Sequence, residues 1–551
     1  MLRASQCGRV SFVLTLVALP VGESFALTSA TTPPAADSYD EVPYPSAPYR
    51  GTHPSSIAAL AHIFGMQAPD PTNCRVLELG CASGGNLLPM AQDLPGSHFV
   101  GIDLSARQVA AGQEQVTQLG LKNLELRHQS ILDFAAGPGS FDYVLCHGVF
   151  SWVPRIVQDQ ILSIAARCLS PTGVIYVSYN TYPGWYLRGI VRDMLRYHAA
   201  SFPDPQARIS QSRELLKFLV KTAHGRTAAY TQVLRDEAEI IDGTSDAYLY
   251  HEHLEDVNQP FYFHEFVDRL SAAGLQYLAE TDLPGMLSEN LAPEISAMFE
   301  KTPMLRQEQY MDFLTNRMFR CTLACRAEVP LDRLIKAERV RELWLGLYDK
   351  LELPEIDYNS DEPAKFQEAG RTVTAKAPIT KAALVTLTKA WPASLAFPEL
   401  LQTAARRLEM ELGSPPADLE VESTRLSTDL LKLLARGILK SFIHPPEFVT
   451  IASEMPVATP VARLQAITKG VSTNRLHRQV PLEPLARVIV PLLDGRHDRA
   501  ALQQAIRVAN EKGDVQLRRQ GQPLPDPDDA LLARLVERTL SEIAQAALLV
   551  A

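Results

Sequence analysis

The chain contains 551 residues, enough for roughly two to four domains with complete hydrophobic cores, so a single small domain is excluded. Hydrophobic residues make up 46% and charged residues 21% of the sequence, which excludes a disordered, collagen-like or disulfide-stapled chain. The net charge is −10, from 53 basic and 63 acidic residues, and argues against a protein that coats nucleic acid. The odd number of cysteines, seven, favours reduced thiols over a disulfide framework.

The N-terminal segment has the outline of a secretory signal. Arg3 and Arg9 precede the apolar run 10–21, and small residues follow up to residue 30. The apolar run is too short to span a bilayer. The alternative is an upstream start codon or an unstructured extension, and we expect residues 1–38 to lie outside the folded domains. Residues 31–50, rich in Pro and Tyr, are predicted to form an extended arm.

Between residues 39 and 330, short apolar strands alternate with amphipathic helices, after a first helix that Thr52 is expected to cap. Strands are predicted at 74–79, 98–103, 124–129, 143–147, 174–179, 275–283 and, antiparallel, 320–327. Helices are predicted at 86–93, 105–119, 156–169 and 264–273. The pattern predicts an α/β fold with a doubly wound, Rossmann-like sheet, interrupted by a helical insertion at 184–260.

The rest of the chain looks mainly helical. Three helices and a short strand suggest a winged-helix-like region over residues 331–450, and residues 451–551 are predicted to hold a second one. A winged helix invites the hypothesis of DNA binding. However, residues 331–551 carry equal numbers of basic and acidic side chains, so the electrostatic footprint of a duplex binder is missing.

The most informative run is VLELGCASGGN at 76–86, in which a strand leads through a glycine-rich turn into a helix. Glycines at such a turn let the backbone approach a bound ligand closely. The spacing differs from the G-x-G-x-x-G of NAD sites, and no Gly-Lys-Ser/Thr of a Walker loop follows. Glu78, at the end of the strand, disfavours a phosphate and favours a ligand with a positive group.

A second acid follows at the end of the next strand. There, a carboxylate such as that of Asp103 can accept hydrogen bonds from both hydroxyls of a ribose. Together with FDYVLCHG at 141–148, these motifs make the sequence resemble the class I S-adenosylmethionine-dependent methyltransferases. The resemblance covers about residues 40–330 and implies a seven-stranded sheet with S-adenosylmethionine as the cofactor.

Five further motifs resemble a narrower group, and they are YDEVPYPS at 39–46, ELGCASGGNLLPMA at 78–91, CHGVFSWVP at 146–154, SYNTYPGW at 178–185 and YLYHEHLEDVNQPFYFHEF at 248–266. They are similar to bacterial methyltransferases with a methyltransferase regulatory domain, a group that includes rickettsial lysine methyltransferases of outer-membrane proteins. The resemblance implies a regulatory-domain-like part at 210–300 and an extra C-terminal winged-helix-like part.

The same resemblance implies roles for individual residues. The implied cofactor-binding positions are Glu78, Gly80, Cys81, Gly84, Asn86, Asp103, Leu104, Ser130 and Ile131. Ser130 departs from the family pattern, because many class I enzymes have an acid there to bind the adenine amine, and Asp133, the nearest acid, is offset.

Polar and aromatic residues follow the fourth and fifth strands, at the edge where ligands of doubly wound folds bind. We expect catalytic roles for His147, Tyr179, Asn180 and Tyr182, and substrate contacts from Trp152 and Trp185, which could wall the aliphatic stem of a lysine. The alternatives are a structural edge histidine and aromatic packing between domains. No metal is expected, because the H-E-H at 251–253 lacks the H-E-x-x-H spacing of a zinc helix.

These observations predict an S-adenosylmethionine-dependent methyltransferase that modifies protein lysine side chains. A small-molecule methyltransferase of the same fold and a non-catalytic cofactor-binding regulator are the alternatives. The expected partner is a protein with an accessible lysine, or a small-molecule acceptor, without nucleic acid or membrane, and a homodimer is left open. The cofactor is made in the cytoplasm, so we expect a cytoplasmic enzyme, with export as the alternative if residues 1–30 act as a signal.

Overall fold

A seven-stranded mixed sheet forms the centre of the first half of the chain in the computed structural model, which describes residues 37–223, 227–287, 293–299, 301–519 and 521–551. The strand order is β3-β2-β1-β4-β5-β7-β6, and only β7 runs antiparallel to its neighbours. The strands are β1 (Arg75–Leu79), β2 (His98–Asp103), β3 (Leu124–His128), β4 (Phe141–Cys146), β5 (Leu169–Asn180), β6 (Leu275–Glu280) and β7 (Phe319–Arg326). The predicted doubly wound sheet and its antiparallel last strand are confirmed. The signal-like residues 1–30 lie outside the described part of the chain.

Helices connect the strands on both faces of the sheet. Those before the insertion are α1 (Asp37–Glu41), α2 (Pro54–Ile63), α3 (Leu87–Asp93), α4 (Ala106–Leu119) and α5 (Arg155–Cys168). Ser105, where the helix predicted at 105–119 begins, caps α4 by accepting a hydrogen bond from the Gln108 N–H. The prediction that Thr52 caps α2 is wrong: Thr52 lies in a preceding 3₁₀ turn, and the His53 imidazole accepts the hydrogen bond from the Ser55 N–H.

The insertion after β5 is helical, as the sequence predicts, and it is followed by helices that return the chain to the sheet. It comprises α6 (Gly184–Ala199), α7 (Pro205–Thr222), α8 (Ala228–Asp242) and α9 (Asp246–Leu249), which continues into a π-helical turn at Tyr250–Leu254. The helices around β6 and before β7 are α10 (Phe263–Ala272), α11 (Pro293–Phe299) and α12 (Met304–Thr315). The insertion has a small apolar core of its own, which includes Val191, Leu195 and Leu234.

Residues 331–450 pack against the methyltransferase-like sheet domain rather than standing apart. Their elements are β8 (Trp344–Leu347), β9 (Ala364–Glu368), β10 (Arg371–Ala375), α13 (Pro378–Ala390), β11 (Leu395–Ala396), α14 (Phe397–Leu412), α15 (Leu419–Ala435) and β12 (Leu439–Phe442). One apolar core runs from Ile57 and Val76 to Leu384 and Leu430 without interruption. The two regions therefore share buried surface, which couples their stabilities.

The C-terminal unit has a separate apolar core built around Leu502, Val536 and Leu540. Its elements are α16 (Pro460–Thr468), β13 (Val471–Thr473), β14 (Gln479–Pro481), α17 (Pro484–Ile489), α18 (Arg499–Lys512), β15 (Arg518–Arg519), β16 (Gln522–Pro523) and α19 (Asp529–Gln545). These helices and short strands lie within the second winged-helix-like region predicted over residues 451–551. Within the described residues, no helix combines the length and the apolar character needed to cross a bilayer.

A buried charge cluster ties β6, β7 and α12 together. The fully buried guanidinium of Arg320 donates to Glu280 Oε1 at 2.6 Å, to Glu308 Oε2 at 3.0 Å and to Asp312 Oδ1 at 2.8 Å. It also lies 4.1 Å from the ring centroid of Phe263. Burial of several carboxylates around one cation is tolerable only while the cation is present.

Removal of that cation should destabilise the fold strongly. We expect Arg320→Met to lower the free energy of unfolding by about 3–5 kcal/mol, because it leaves the buried Glu280 and Glu308 without their cation, whereas Asp312 keeps its pair with Arg317 at 3.2 Å. The control is Arg538→Met, which breaks an exposed pair with Glu542 and should cost less than about 1 kcal/mol. Urea unfolding followed by tryptophan fluorescence measures both, and equal losses in the two variants would contradict the role of the cluster.

Candidate functional site

A cavity of about 470 Å³ opens at the carboxyl ends of β1, β2, β4 and β5. Its walls come from the sheet edge, the arm that precedes α2, the insertion and the start of β7. Of the predicted cofactor-binding residues, eight line the cavity: Glu78, Gly80, Cys81, Asn86, Asp103, Leu104, Ser130 and Ile131. Gly84 does not line it, because this glycine packs against Leu126 beneath the turn.

The glycine turn brings the backbone close to its neighbours. Gly80 has a φ of +79°, and a Cβ there would lie 2.4 Å from Val149 Cγ2. A side chain at this position would therefore be strained and would collide with the cavity wall. Gly85 is equally crowded, since a Cβ would lie 2.6 Å from the carbonyl oxygen of Ser46 in the arm. The two glycines thus let Val149 and the arm pack closely on the turn.

Asp103 is held at the end of β2 by two backbone donors. Its Oδ2 accepts from the Ala82 N–H at 2.8 Å, and its Oδ1 accepts from the Ser105 N–H at 2.8 Å. Burial nevertheless raises the pKa of the carboxyl above its usual range. Each oxygen keeps a second lone pair for a further donor, so the carboxylate is arranged to accept from a pair of hydroxyls.

Glu78 and Asn86 form a buried polar pair at the turn. The Asn86 side-chain amide donates to Glu78 Oε1 at 2.7 Å, whereas Glu78 Oε2 is buried without a hydrogen-bond partner in the described part of the chain. Burial raises the pKa of Glu78 to about 8. An unsatisfied buried carboxyl oxygen is costly and favours a ligand that brings a donor or a positive charge.

His147 follows β4 and lines the cavity. The Nδ1 of this residue lies 2.7 Å from the Tyr176 hydroxyl, and the Tyr49 ring packs on the imidazole with centroids 3.5 Å apart. Burial lowers the pKa of His147 to about 3, so the ring is neutral near pH 7. A base this weak is poorly suited to remove a proton, and the contacts suit a wall or positioning role.

A further part of the cavity lining is aromatic and acidic. Trp152 and Trp185 line it in an edge-to-face pair with centroids 5.9 Å apart, and Arg188 lies over the Trp185 ring at 5.4 Å. Glu252, in the π-helical turn, also lines the cavity. Burial raises the pKa of its carboxyl to about 7. Sequence reasoning missed Arg188 and Glu252 as site residues.

The arm contributes residues that the sequence analysis predicted only as an extended segment. Tyr39, Tyr44 and Tyr49 line the cavity, and Tyr39 stacks on His251 with centroids 4.4 Å apart. The Gly85 N–H donates to Ser46 Oγ at 2.7 Å, which ties the arm to the glycine turn. The motif YDEVPYPS was the available signal for this role.

Three residues were expected to orient an acceptor, and the structure places one in the cavity lining and two outside it. Asn180 lines the cavity, and its amide donates to Asn258 Oδ1 at 3.0 Å. Tyr179 is buried in the core, where its ring stacks on Phe266 at 4.1 Å. Tyr182 stacks on Tyr186 at 4.1 Å outside the cavity lining. The catalytic roles expected for Tyr179 and Tyr182 therefore do not fit their positions.

The histidines of the H-E-H run make hydrogen bonds to carboxylates and the backbone. His251 contacts Glu255 Oε1 at 2.8 Å and the Val42 carbonyl oxygen at 2.6 Å, and His253 contacts Glu237 Oε1 at 2.7 Å. In the ranges that the structure describes, no group of three His, Cys, Asp or Glu residues is arranged to hold a metal ion.

Three family models match the chain. A "Methyltransferase domain" matches residues 70–241, a "Predicted methyltransferase regulatory domain" matches 245–326, and a "PKMT, C-terminal winged helix domain" matches 454–548. The regulatory-domain match lies further toward the C-terminus than the predicted 210–300 and ends with β7.

Relatives from Rickettsia match most of the chain. "Uncharacterized protein RP789" of Rickettsia prowazekii is 36% identical over 500 residues, which cover 89% of each chain. "Uncharacterized protein RP028" of the same organism is 39% identical over 232 residues, which cover 42% of this chain and 93% of the relative. The structure of PKMT2 from Rickettsia typhi in complex with AdoHcy superposes with a TM-score of 0.82 at 29% identity, covering 92% of this chain and all of that chain (100%).

Proposed function

We propose that this chain, which belongs to the family of S-adenosylmethionine-dependent methyltransferases with a methyltransferase regulatory domain and a C-terminal winged helix, methylates lysine side chains of proteins. The observation that carries the proposal is the cavity, whose lining contains both the glycine turn with Asp103 and the group Trp152, Trp185 and Glu252. The likeness to PKMT2, a rickettsial protein lysine methyltransferase, supports the same acceptor.

The residues around the glycine turn and Asp103 fit S-adenosylmethionine. The unpartnered Glu78 Oε2 offers a site for the positively charged methionine end, and Asp103 offers two acceptors for the ribose hydroxyls. Leu104, Ser130 and Ile131 form the wall that would face the adenine. When bound, the cofactor supplies an electrophilic methyl group on its sulfonium. The protein groups must then align the acceptor with that methyl group and keep water out.

The group formed by Trp152, Trp185 and Glu252 suits an amine. Trp152 and Trp185 present apolar faces to an aliphatic stem. Trp152 can also make a cation–π contact with an ammonium group, whereas Arg188 already lies over the Trp185 ring. Glu252 attracts the ammonium and, with a pKa of about 7, can take the proton that the nitrogen must lose. Once this proton is on Glu252, the free nitrogen lone pair would be able to accept the methyl group that the cofactor supplies when bound. Asn180 can hold the amine through its side-chain oxygen.

We also propose a cytoplasmic location. The six cysteines in the described part of the chain are free thiols, and all except Cys321 are buried. Free thiols are typical of a reducing compartment, which is also where S-adenosylmethionine is made.

The acceptor class can be tested with cofactor labelled in the methyl group. A bacterial lysate incubated with the enzyme should show label in protein bands, and acid hydrolysis should release methylated lysine. Label confined to low-mass products would indicate a small-molecule methyltransferase. Binding of S-adenosylhomocysteine without any transfer would indicate a regulator.

Glu252→Gln should slow methyl transfer about a hundredfold, because the proton of the acceptor loses its base. The affinity for S-adenosylhomocysteine should stay within about twofold, since no cofactor contact depends on this residue. The matched control is Glu239→Gln on the exposed face of α8, which should behave as wild type. Wild-type turnover in Glu252→Gln would contradict the role of Glu252 but would leave the acceptor class open.

Asp103→Ala should weaken binding of S-adenosylhomocysteine by about 1.5–3 kcal/mol, because charge-assisted hydrogen bonds to the ribose are lost. Isothermal titration calorimetry measures the change. Asp133→Ala, an exposed acid after β3 that does not line the cavity, is the control and should leave the affinity unchanged.

Gly80→Val should abolish binding through its clash with Val149. Unchanged affinity in either site variant would argue against this placement of the cofactor.

Cofactor binding at pH 7 should release about one proton from Glu78. With a pKa of about 8 the free carboxyl is mostly protonated at pH 7, and a positive group beside it favours the ionised form. The affinity should therefore rise as the pH increases from 6 toward 8. Calorimetry in two buffers of different ionisation enthalpy gives the proton count, and Glu78→Gln should not release this proton. Equal release by wild type and Glu78→Gln would show that the proton comes from another group.

A further inference from the structure

A loop of the C-terminal winged helix reaches the glycine turn of the methyltransferase domain. His477, in the loop between β13 and β14, is buried, and its Nε2 donates to Asn86 Oδ1 at 2.8 Å across 391 residues of sequence. Asn86 in turn donates to Glu78 Oε1 at 2.7 Å. A hydrogen-bonded chain thus runs from the C-terminal domain to the carboxylate that faces the proposed methionine end of the cofactor.

The backbone sets the direction of this chain. The Tyr49 N–H can only donate, and it lies 3.0 Å from Asn86 Oδ1. The oxygen of the amide therefore faces Tyr49 and His477, and its NH₂ group faces Glu78. His477 must carry its proton on Nε2. Burial lowers the pKa of His477 well below its usual range, so the ring is neutral, and the buried Nδ1 has no hydrogen-bond partner in the described residues.

The loop that carries His477 is held firmly against the sheet domain. Asn474 Oδ1 accepts from the Arg478 N–H at 2.9 Å and from the Leu476 N–H at 3.1 Å, which closes the loop on itself. The neighbouring Arg475 forms a buried ion pair with Asp93 at the end of α3. His477 itself has a φ of +55°, a conformation that directs the ring into the interface. The ring is therefore presented by a built structure rather than by a mobile side chain.

We propose that His477 is a positioning residue for the cofactor site: it makes the shortest of three contacts to Asn86 Oδ1, beside the Tyr49 N–H and the Thr52 hydroxyl, and so helps to fix the amide and to keep Glu78 aimed into the cavity. The proposal rests on the proposed placement of the methionine end at Glu78. Without the His477 donor, Asn86 Oδ1 keeps only contacts at one edge of the site, with the Tyr49 N–H at 3.0 Å and the Thr52 hydroxyl at 3.1 Å. The amide can then tilt away from the carboxylate. The winged helix thereby becomes part of the binding site without touching the ligand.

The alternative is that His477 only fills space, since it also packs against His53 with ring centroids 5.4 Å apart. The two roles can be separated with a matched pair of substitutions. His477→Gln keeps an N–H donor at about the same reach, whereas His477→Met has a similar shape and no donor. Both variants carry the same cost of the positive φ and should have the same melting temperature.

We expect His477→Met to weaken binding of S-adenosylhomocysteine about five- to tenfold in calorimetry, the effect of one buried hydrogen bond. His477→Gln should recover the wild-type affinity to within about twofold. In an Asn86→Ala background, His477→Met should cause no further loss, because the link through which it acts is already missing. A KM for the protein acceptor that does not change would place the effect at the cofactor.

Equal affinity in His477→Met and wild type, or equal losses in the Met and Gln variants, would overturn the proposal. So would an additive effect of His477→Met in the Asn86→Ala background. These results are distinct from a failure of the proposed function, in which the wild-type enzyme itself would not bind S-adenosylhomocysteine or would not transfer methyl groups to protein.

Discussion

The hydrogen bond between Asn86 and Glu78 is the contact on which the geometry of the site depends. A carboxyl group buried at the end of a strand is costly, and one partner amide fixes only one of its oxygens. That amide is itself fixed from two sides, by Tyr49 and Thr52 in the segment that precedes α2 and by the C-terminal unit through His477. Three segments that lie far apart in sequence therefore meet at one side chain. The shared apolar core of residues 57–461 provides the rigidity that such a meeting point needs.

Acidic side chains outnumber cationic ones in the lining of the cavity. Glu78, Asp103 and Glu252 all line it, and burial raises the pKa of each. His147 contributes no positive charge, because burial keeps it neutral. Arg188 also lines the site, but it is paired with Glu237 at 3.0 Å, so Glu78, Asp103 and Glu252 leave an excess of acids that favours cationic ligands. A sulfonium and a lysine ammonium are both cations. The same excess of acidic side chains therefore favours both the cofactor and the proposed acceptor.

Much of the sheet domain could be predicted from the sequence because its signals are local. The cap at Ser105, the stop at Gly120 and the glycine turn define their elements without knowledge of distant residues. The pairing of Tyr179 with Asn180 as catalytic residues could have been avoided. Successive residues of a strand face opposite sides, so when Asn180 faces the cavity, Tyr179 must face the core. Glu252 and His477 could not be found in this way, because no periodicity reports which surfaces an insertion or a C-terminal domain will contact.

The arm has a practical consequence for any shortened form of the protein. A chain that begins at α2 would keep the whole sheet and the helix that contributes Ile57 to the main core, and it would look complete by its fold. It would nevertheless lack Tyr39, Tyr44 and Tyr49, three side chains of the cavity wall, together with the backbone donor that steadies Asn86. Such a fragment would be a folded scaffold with an open, poorly formed site. The catalytic unit of this enzyme therefore begins well upstream of its first strand.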